Sequence, residues 1–594
     1  MILQSLTDYY EILADSGAIS KPGYGKAKVS YALNLTPEGR LLSVLPLKLE
    51  VERGKKKVEI PQMLEVPEQA KRSVGISPNF LCDHSGYVLG VDNKGKPERS
   101  SQCFEAFCKL HHEILGDVSC PEAKAVLAFL DSWNPGQYDQ CDEIADFSEE
   151  LLVGSNLVFR VVGRGYAQDS REVRTAWERH RSEEGDGERM QCLVTGEIAP
   201  IARLHPSIKG VKGAQSMGAS IVSFNAAAYE SYGGESQQGL NAPVSEYASF
   251  AYTTVLNHLL AEEGSHQFFG DTSMVYWAKS PRRIYQDIFA YSLDPVEHSE
   301  TEHVTEDDKK TESLLSTAFK NLAEGKPIDS IEEEIDIETQ FYILGLAPNA
   351  ARLSIRFFLQ NSFGRIMENV RQHYLDLNIE KGPKDFEYLP LWKLLSETVS
   401  PKAKEKASSP LLSGAVLRAI FLRNPYPEAL YSGVMLRIRA EKDINRGKAA
   451  IIKAFQIRKN GEKYKEELTV SLNEQSENKA YVLGRLFAVL EKAQRDVMPD
   501  IKATIKDRFF TSACATPASV FPRLLMLSNH HIAKLSKPEY KNAVEKWKRE
   551  LMDKLSVDKN PFPSHLSLDD QGIFILGYYH QQKANYAKKE KEEK

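Results

Sequence analysis

Residues 341–358 read FYILGLAPNAARLSIRFF, two runs of apolar and β-branched residues on either side of Pro348-Asn349. This pattern predicts two strands joined by a tight turn. A helical pattern follows, from about Phe363 to Leu377. Strand, turn, strand and helix in this order indicate a small sheet packed on a helix.

Toward the N-terminus, strand and helix patterns alternate. Residues 26–49 predict a hairpin, because two alternating apolar runs flank the turn sequence TPEG. Shorter strand patterns lie at Asn79–Asp83, Asn156–Val162, Met190–Thr195 and Ser220–Phe224. Helical spacing is found in the opening MILQSLTDYYEIL and at Ser101–Leu115, Glu122–Trp133 and Ser170–Arg181.

Toward the C-terminus, strand patterns almost disappear from about Phe386 onward. The polar stretch 401–410, PKAKEKASSP, predicts a linker. Further on, Leu483, Leu486, Phe487 and Leu490 follow the spacing i, i+3, i+4, i+7 of a helix with one buried face. Helices are predicted at Leu411–Leu422, Pro427–Ala440 and Asn445–Arg458, with further apolar faces at 519–535, 540–551 and 572–586.

These patterns predict an α+β protein, in which a mixed α+β N-terminal region with small antiparallel sheets precedes an all-α C-terminal helical bundle. Three domains are expected. Residues 1–385 form the α+β region, 386–471 a helical connecting region and 472–594 the bundle. The acidic runs Glu302–Glu312 and Glu332–Glu338 are interpreted as solvated faces or an insertion.

Composition excludes several classes of protein. Hydrophobic residues make up 42% and charged residues 27% of the chain, as in soluble globular proteins. No run of about 20 apolar residues is present, so no membrane helix is expected. The seven cysteines form no CxxC pair, which is typical of a reducing cytoplasm.

Charge is distributed unevenly along the chain. The net charge is −6, but residues 473–594 carry 21 Lys and Arg against 16 Asp and Glu, or +5, which leaves −11 for residues 1–472. Residues 501–549 carry ten basic residues against three acidic ones, or +7. This segment is the best candidate for contacts with phosphates.

Catalytic and cofactor signatures are missing from the sequence. It contains no GxxxxGK[ST], strand-borne GxGxxG, HExxH or GxSxG motif. The pairs His111–His112, His530–His531 and Asp83–His84 are interpreted as surface or capping residues, since adjacent helix positions do not converge on a metal. The same ordinary interpretation applies to Cys103 and Cys108. We therefore expect no enzyme activity, cofactor or metal.

The most unusual segment is His205–Leu260. Lys209 and Lys212 alternate with glycines in HPSIKGVKGAQSMGAS, and Gln237, Gln238 and Asn241 follow in a second polar stretch. Glycines let a backbone approach a ligand closely, while lysines and amides can contact phosphates and base edges. A helix with an apolar face follows Pro243. The segment fits a recognition loop, although an ordinary surface loop has the same composition.

Several long blocks resemble a known family in content and order. The chain is similar to the large subunit of type I-C CRISPR Cascade, from residue 1 to beyond residue 500. The blocks are MILQSLTDYYEIL (1–13), FLCDHSGYVLGVD (80–92), SFNAAAYESYG (223–233), QGLNAPVSEYASFAYTTVLN (238–257), LGLAPNAARLSIRFF (344–358) and YVLGRLFAVLEKAQ (481–494).

The resemblance implies a non-catalytic subunit of an RNA-guided surveillance complex. Such a subunit would read a short protospacer-adjacent motif in double-stranded DNA, wedge the strands apart and help recruit a helicase-nuclease. Its other partners would be the CRISPR guide RNA and the backbone subunits of the complex. The C-terminal portion, from near Leu472–Asn478, would resemble a small subunit that can also be translated separately from an internal start.

Two groups of residues are the candidate DNA contacts. For motif recognition or duplex opening they are Lys209, Lys212, Gln215, Asn225, Gln238 and Asn241, of which Asn225 is also a candidate helix cap. For strand contacts they are Lys502, Lys506, Arg508, Arg523, Lys534 and Lys541. The alternatives are a stand-alone metal-dependent nuclease and a scaffold subunit that touches only other proteins.

Overall fold

The computed structural model divides the chain into two compact units. The first comprises Met1–Pro206 and Val222–Val255, and the second comprises Ser207–Ile221 and Leu256–Lys594. The residues described are 2–53, 56–69, 75–184, 188–224, 229, 238–293, 317, 335–382, 385, 388–404, 408–556 and 560–592.

Three small sheets form the β part of the first unit. Its strands are β1 (Tyr24–Val29), β2 (Tyr31–Leu35), β3 (Leu41–Pro46), β4 (Lys48–Arg53), β5 (Lys56–Pro67), β6 (Cys82–His84), β7 (Asn156–Val161), β8 (Gly165–Tyr166), β9 (Arg189–Gln191) and β10 (Ile198–Pro200). The sheet orders are β1-β5-β4, β3-β2-β7-β6 with β8 beside β7, and β10-β9. Strands β2 and β3 form the predicted hairpin, and β2 also pairs with β7 in parallel.

Six α-helices of the described residues lie wholly in the first unit, and all but the first contribute to the core that contains the central sheet. They are α1 (Ile2–Asp15), α2 (Ser85–Val88), α3 (Pro97–Leu115), α4 (Pro121–Ser132), α5 (Ser148–Leu152) and α6 (Arg171–Glu184). Phe107 on α3, Phe129 on α4 and Phe159 on β7 form one aromatic cluster, with ring centroids 5.9–6.3 Å from Phe159. Helix α7 (Glu246–Ala261) begins in the first unit and ends in the second.

His111 corrects one of the sequence-based interpretations. It is fully buried on α3, whereas the sequence indicated a surface or capping histidine. Its Nε2 accepts a hydrogen bond from the Leu81 N–H (3.0 Å), and its Nδ1 donates to the Phe107 carbonyl (2.7 Å). His84 is a helix cap as expected, since its Nδ1 accepts from the N–H of Gly86.

The second unit contains one four-stranded antiparallel sheet. Its strands β11 (His266–Phe269), β12 (Thr272–Ala278), β13 (Gln340–Asn349) and β14 (Arg352–Ser362) lie in sequence order. Strands β13 and β14 are the hairpin predicted from residues 341–358, but the turn lies at Ala350-Ala351, because Pro348 and Asn349 still pair with β14. After α8 (Ile284–Leu293), helix α9 (Phe363–Leu377) has the predicted bounds. The predicted small sheet packed on a helix is confirmed.

The remaining helices continue the core of this sheet. They are α10 (Leu391–Ser396), α11 (Pro410–Leu422), α12 (Glu428–Glu441), α13 (Arg446–Asn460), α14 (Lys479–Val497), α15 (Ile505–Ala515), α16 (Pro517–Ala533), α17 (Pro538–Ser556) and α18 (Leu568–Glu592). One hydrophobic core runs from Met274 on β12 to Tyr579 on α18. The described residues contain no strand after Ser362, so the predicted α+β class with a helical C-terminal half is confirmed.

Helices α14 and α18 meet backbone to backbone. A Cβ atom added at Gly484 would lie 1.9 Å from the Phe574 carbonyl oxygen, and one added at Gly577 would lie 2.2 Å from that of Tyr481. The start of α14 is fixed by Asn478, whose Oδ1 accepts from the N–H groups of Ala480 and Tyr481. Glycine at both contact positions lets these helices form the centre of the bundle.

One short strand prediction was wrong, and another extended too far along the chain. Within Ser220–Phe224 only Ser220 forms a bridge, to Arg352, and the remaining residues continue as a loop. In the Met190–Thr195 run the strand ends at Gln191, because Cys192 begins a tight turn in which Gly196 N–H donates to its carbonyl. Conversely, β11 and β12 were not predicted.

The domain boundaries predicted at 385/386 and 471/472 fall inside the second unit, whose core is continuous across them. As functional divisions they stay predictions. Asn225, Gln237, the run Glu302–Glu312 and part of Glu332–Glu338 lie outside the described residues. No helix in the described ranges is both long and apolar enough to cross a bilayer.

Candidate nucleic-acid interface

The glycine-containing segment of the second unit, residues 207–221, is a closed loop. Ile208 and Ala219 exchange two backbone hydrogen bonds (2.8 and 2.9 Å) and thereby close its base. Gly218 has φ +96°, and a Cβ added there would lie 2.8 Å from Ser207 Cβ and 2.9 Å from the Ile208 carbonyl oxygen. The glycine therefore permits the tight closure that holds the loop in one shape.

Side chains of the surrounding elements anchor this loop. Asn257 on α7 accepts from the Lys209 N–H (2.7 Å) and donates to the Ser207 carbonyl (3.2 Å). Ser273 on β12 accepts from the Lys212 N–H (2.9 Å). These bonds fix the backbone at Lys209 and Lys212, and the side chains of both residues are exposed.

Three predicted contact residues are exposed together on this loop, namely Lys209, Lys212 and Gln215. The Lys212 ammonium lies 6.0 Å from the ring centroid of Phe268, whose side chain is 44% exposed. Met217, which the sequence analysis did not single out, is 80% exposed at the tip. The loop thus exposes two cations, an amide and the apolar side chain of Met217, with Phe268 of β11 beside Lys212.

The other predicted motif contacts belong to the first unit. Gln238 has φ +47° and begins the short 3₁₀ turn Gln238–Asn241. The Asn241 amide nitrogen donates to the Gln238 carbonyl (3.1 Å), so part of its hydrogen-bonding capacity closes this turn. Its Oδ1 is buried and has no hydrogen-bond partner among the described residues.

The cations predicted for strand contacts differ in exposure. Lys502, Arg508, Arg523 and Lys534 are exposed, and Lys541 is half-buried. Lys506 instead points into the bundle, with its ammonium 5.2 Å from the ring centroid of Tyr578. Burial lowers the pKa of Lys506. The structure therefore supports five of these six residues as surface cations.

These surface cations have no acidic partner within the described part of the chain. No described carboxylate lies within ion-pair distance of Lys209, Lys212, Lys502, Arg508, Arg523, Lys534 or Lys541. Elsewhere cations are neutralised, as in the buried pair Arg458–Asp376 (2.7 Å). A cation without a carboxylate partner can bind a phosphate without first breaking an ion pair within the protein.

The basic segment contains four further cations beside the six predicted strand contacts. Lys537, Lys546, Lys548 and Arg549 were counted in the basic segment but not selected as contacts. Lys548 and Arg549 line a cleft of about 380 Å³ with Lys541. Lys537 lines another cleft, of about 490 Å³, which shares no lining residue with the first. Charge alone could not select them, because their position depends on how α16 and α17 pack.

The chain matches a known protein family over nearly its whole length. Residues 6–586 match the family described as CRISPR-associated protein Cas_Csd1. The chain belongs to the Csd1 family. Among curated proteins no match to it was found.

The Csd1-family match includes the loop 207–221 and the five bundle helices up to residue 586. Both candidate surfaces are therefore parts of a Cascade-type CRISPR-associated protein. Within its described residues, no group of three or more His, Cys, Asp or Glu side chains is placed to hold a metal ion.

Proposed function

We propose that this Csd1-family protein is the non-catalytic large subunit of a type I-C RNA-guided surveillance complex. In this proposal it recognises a protospacer-adjacent motif in double-stranded DNA, helps to open the duplex and hold the R-loop, and helps to recruit the helicase-nuclease. Membership of the Csd1 family supports a role in a CRISPR complex. The observation that carries the DNA-binding role is the set of exposed cations without carboxylate partners.

The loop 207–221 is the proposed motif reader. In an RNA-guided complex, pairing with the guide reads the long target sequence, so the protein needs to read only a few base pairs. Lys209, Lys212 and Gln215 supply donors, and Gln215 also an acceptor, for base edges and phosphates. The hydrogen bonds from Asn257 and Ser273 preorganise the loop, which reduces the entropy lost on binding.

The helical bundle is the proposed strand-holding surface. Arg508, Arg523 and Lys534 are exposed on α15, on α16 and at the end of α16. Separated cations of this kind attract the phosphates of a strand without reading its bases. The other proposed partners are the guide RNA, the backbone subunits of the complex and a small subunit translated from the same gene.

The test uses the assembled complex with Lys209→Glu/Lys212→Glu. We expect affinity for a motif-bearing duplex to fall about tenfold or more, because two donors are lost and two like charges face the DNA. The matched control is Lys109→Glu/Lys124→Glu, which changes two exposed lysines of the first unit. Size-exclusion chromatography verifies that each complex assembles, and competition with a motif-lacking duplex measures the preference.

The alternatives predict other outcomes. A scaffold subunit without DNA contact predicts equal affinity for the loop variant, the control and the unmodified complex. A metal-dependent nuclease predicts that the purified chain cleaves DNA when Mg²⁺ or Mn²⁺ is added and stops when the metal is chelated. Either outcome would contradict the proposed function.

A further inference from the structure

A cleft of about 490 Å³ opens beside the turn between α16 and α17. Its walls come from the end of α14, the connection that follows it, and residues 535–540. Pockets for small organic groups commonly start at about 300 Å³. The cleft is therefore large enough for one nucleotide.

The lining of this cleft combines apolar and aromatic surface. Pro499, Ile501 and Leu535 supply aliphatic walls, and Tyr540 supplies an aromatic ring. No described group is within hydrogen-bond distance of the Tyr540 hydroxyl, which leaves it able to contact a ligand. A planar base gains most from an aromatic face with apolar walls beside it.

The two ends of the cleft differ in whether their cations are paired with carboxylates. At one end Lys492 pairs with Asp496 (3.0 Å) and Arg495 pairs with Glu491 (2.8 Å). At the other end the Lys537 ammonium lies 5.4 Å from the Tyr540 ring centroid, and no described carboxylate is within ion-pair distance of it. A base stacked on Tyr540 can extend toward the end where the cations are paired, and the Lys537 ammonium beside the ring suits its phosphate.

A second cleft, of about 380 Å³, carries three cations and one carboxylate, Glu545, in its lining. Lys541 directly follows Tyr540 in the chain, and it lines this second cleft with Lys548 and Arg549. Lys548 donates to Asn529 Oδ1 (2.7 Å) and Ser528 Oγ (3.1 Å), so its ammonium is held in place. Because Tyr540 and Lys541 are adjacent on α17, a strand that passes from Tyr540 toward this second cleft would meet further cations.

We propose that the Tyr540 cleft holds one unpaired nucleotide of single-stranded DNA, with its base stacked on Tyr540, its phosphate at Lys537 and the next phosphates at Lys541 and Arg549. This inference rests on the proposed strand-holding function and adds its chemistry, since the bundle then contacts bases as well as phosphates. The stacking is independent of base identity, because every base has a π face.

The experiment compares two fluorescent single strands that bind to the full chain. One is oligothymidylate, and the other has the same length with every base replaced by an abasic site. We expect the unmodified chain to prefer the base-bearing strand about tenfold. Tyr540→Ala reduces this preference toward onefold, and Tyr540→Phe retains it. Lys537→Ala weakens both strands alike and lowers the salt slope by about 0.7.

Trp392→Ala is the matched control, because Trp392 is a 51% exposed aromatic residue elsewhere in the second unit. Thermal melting verifies that each variant is folded. An unchanged preference in Tyr540→Ala, or an equal loss in Trp392→Ala, would overturn the cleft assignment while leaving phosphate binding by the bundle intact. Binding of oligouridylate but not oligothymidylate would overturn the DNA assignment. If neither strand binds the unmodified chain, the proposed strand-holding function itself fails.

Discussion

His111 is held inside the first unit as a neutral imidazole. Its two ring nitrogens serve one backbone donor and one backbone acceptor, which a doubly protonated ring could not do. Burial lowers its pKa to about 3. The unfolded chain, with a pKa near its ordinary value of 6.5, binds a proton that the folded chain excludes.

His111→Gln tests this contribution to pH dependence. A group whose folded pKa is depressed stabilises the fold fully above its unfolded pKa, and this stability is lost as pH falls toward the folded value. Between about pH 6 and about pH 4 the unfolding free energy of the unmodified chain should fall by roughly 1 kcal/mol per pH unit more than that of the variant. Urea unfolding across this range measures the difference. The adjacent, exposed His112→Gln is the control, and an equal change there would contradict a burial origin.

Lys506 and Arg508 show which properties of a single site residue can be predicted from the sequence and which cannot. Both were predicted as strand contacts from the basic count of residues 501–549. Arg508 is exposed, whereas Lys506 lies over Tyr578 on α18. The sequence predicted the basic segment correctly, but the direction of each side chain depends on a helix that follows about 70 residues later in the chain.

Elements were predictable where their periodicity is local. Helix α9 has the predicted bounds, because a helix that buries one face shows its spacing in its own sequence. Strand β12 was missed because all seven of its residues are buried, so it lacks the alternation of a half-exposed strand. The loop 207–221 was recognisable from its glycines, but its anchors Asn257 and Ser273 are distant in sequence.

The contact between α14 and α18 gives an element-scale prediction. Gly484→Ala places a methyl group against the backbone of α18, which forces the two helices apart. Overpacking of this kind costs about 1–3 kcal/mol or more. Gly414→Ala on α11 is the matched control, since nothing lies within 4 Å of its added Cβ. That change should be neutral or stabilising by up to about 1 kcal/mol.

Thermal unfolding of the Gly484→Ala and Gly414→Ala variants tests the close approach of α14 and α18. The melting temperature of the second unit should fall in Gly484→Ala and stay level or rise in Gly414→Ala. If both variants melted like the unmodified chain, the close backbone approach of α14 and α18 would be contradicted.

At the scale of the molecule, the distribution of charge bears on where the proposed nucleic-acid contacts can form. Residues 1–472 carry a net −11 and residues 473–594 carry +5, so most of this acidic chain repels a polyanion. The described cations without carboxylate partners include those of the loop 207–221 and of the bundle, and both lie in the second unit. In the proposed function a nucleic acid is therefore directed to these surfaces, and the acidic remainder disfavours binding elsewhere.

The triple variant Arg508→Gln/Arg523→Gln/Lys534→Gln measures the contribution of the bundle. Each lost phosphate contact lowers the slope of log affinity against log salt by about 0.7 for a single strand. If all three cations contact phosphates, the slope should fall by about 2. Titrations with single-stranded DNA at several salt concentrations give the slope. The control, Lys96→Gln/Lys109→Gln/Lys124→Gln, removes the same charge from exposed residues of the first unit. An equal fall in that control would mean that net charge acts at long range, and an unchanged slope in the bundle variant would remove the bundle from the DNA path.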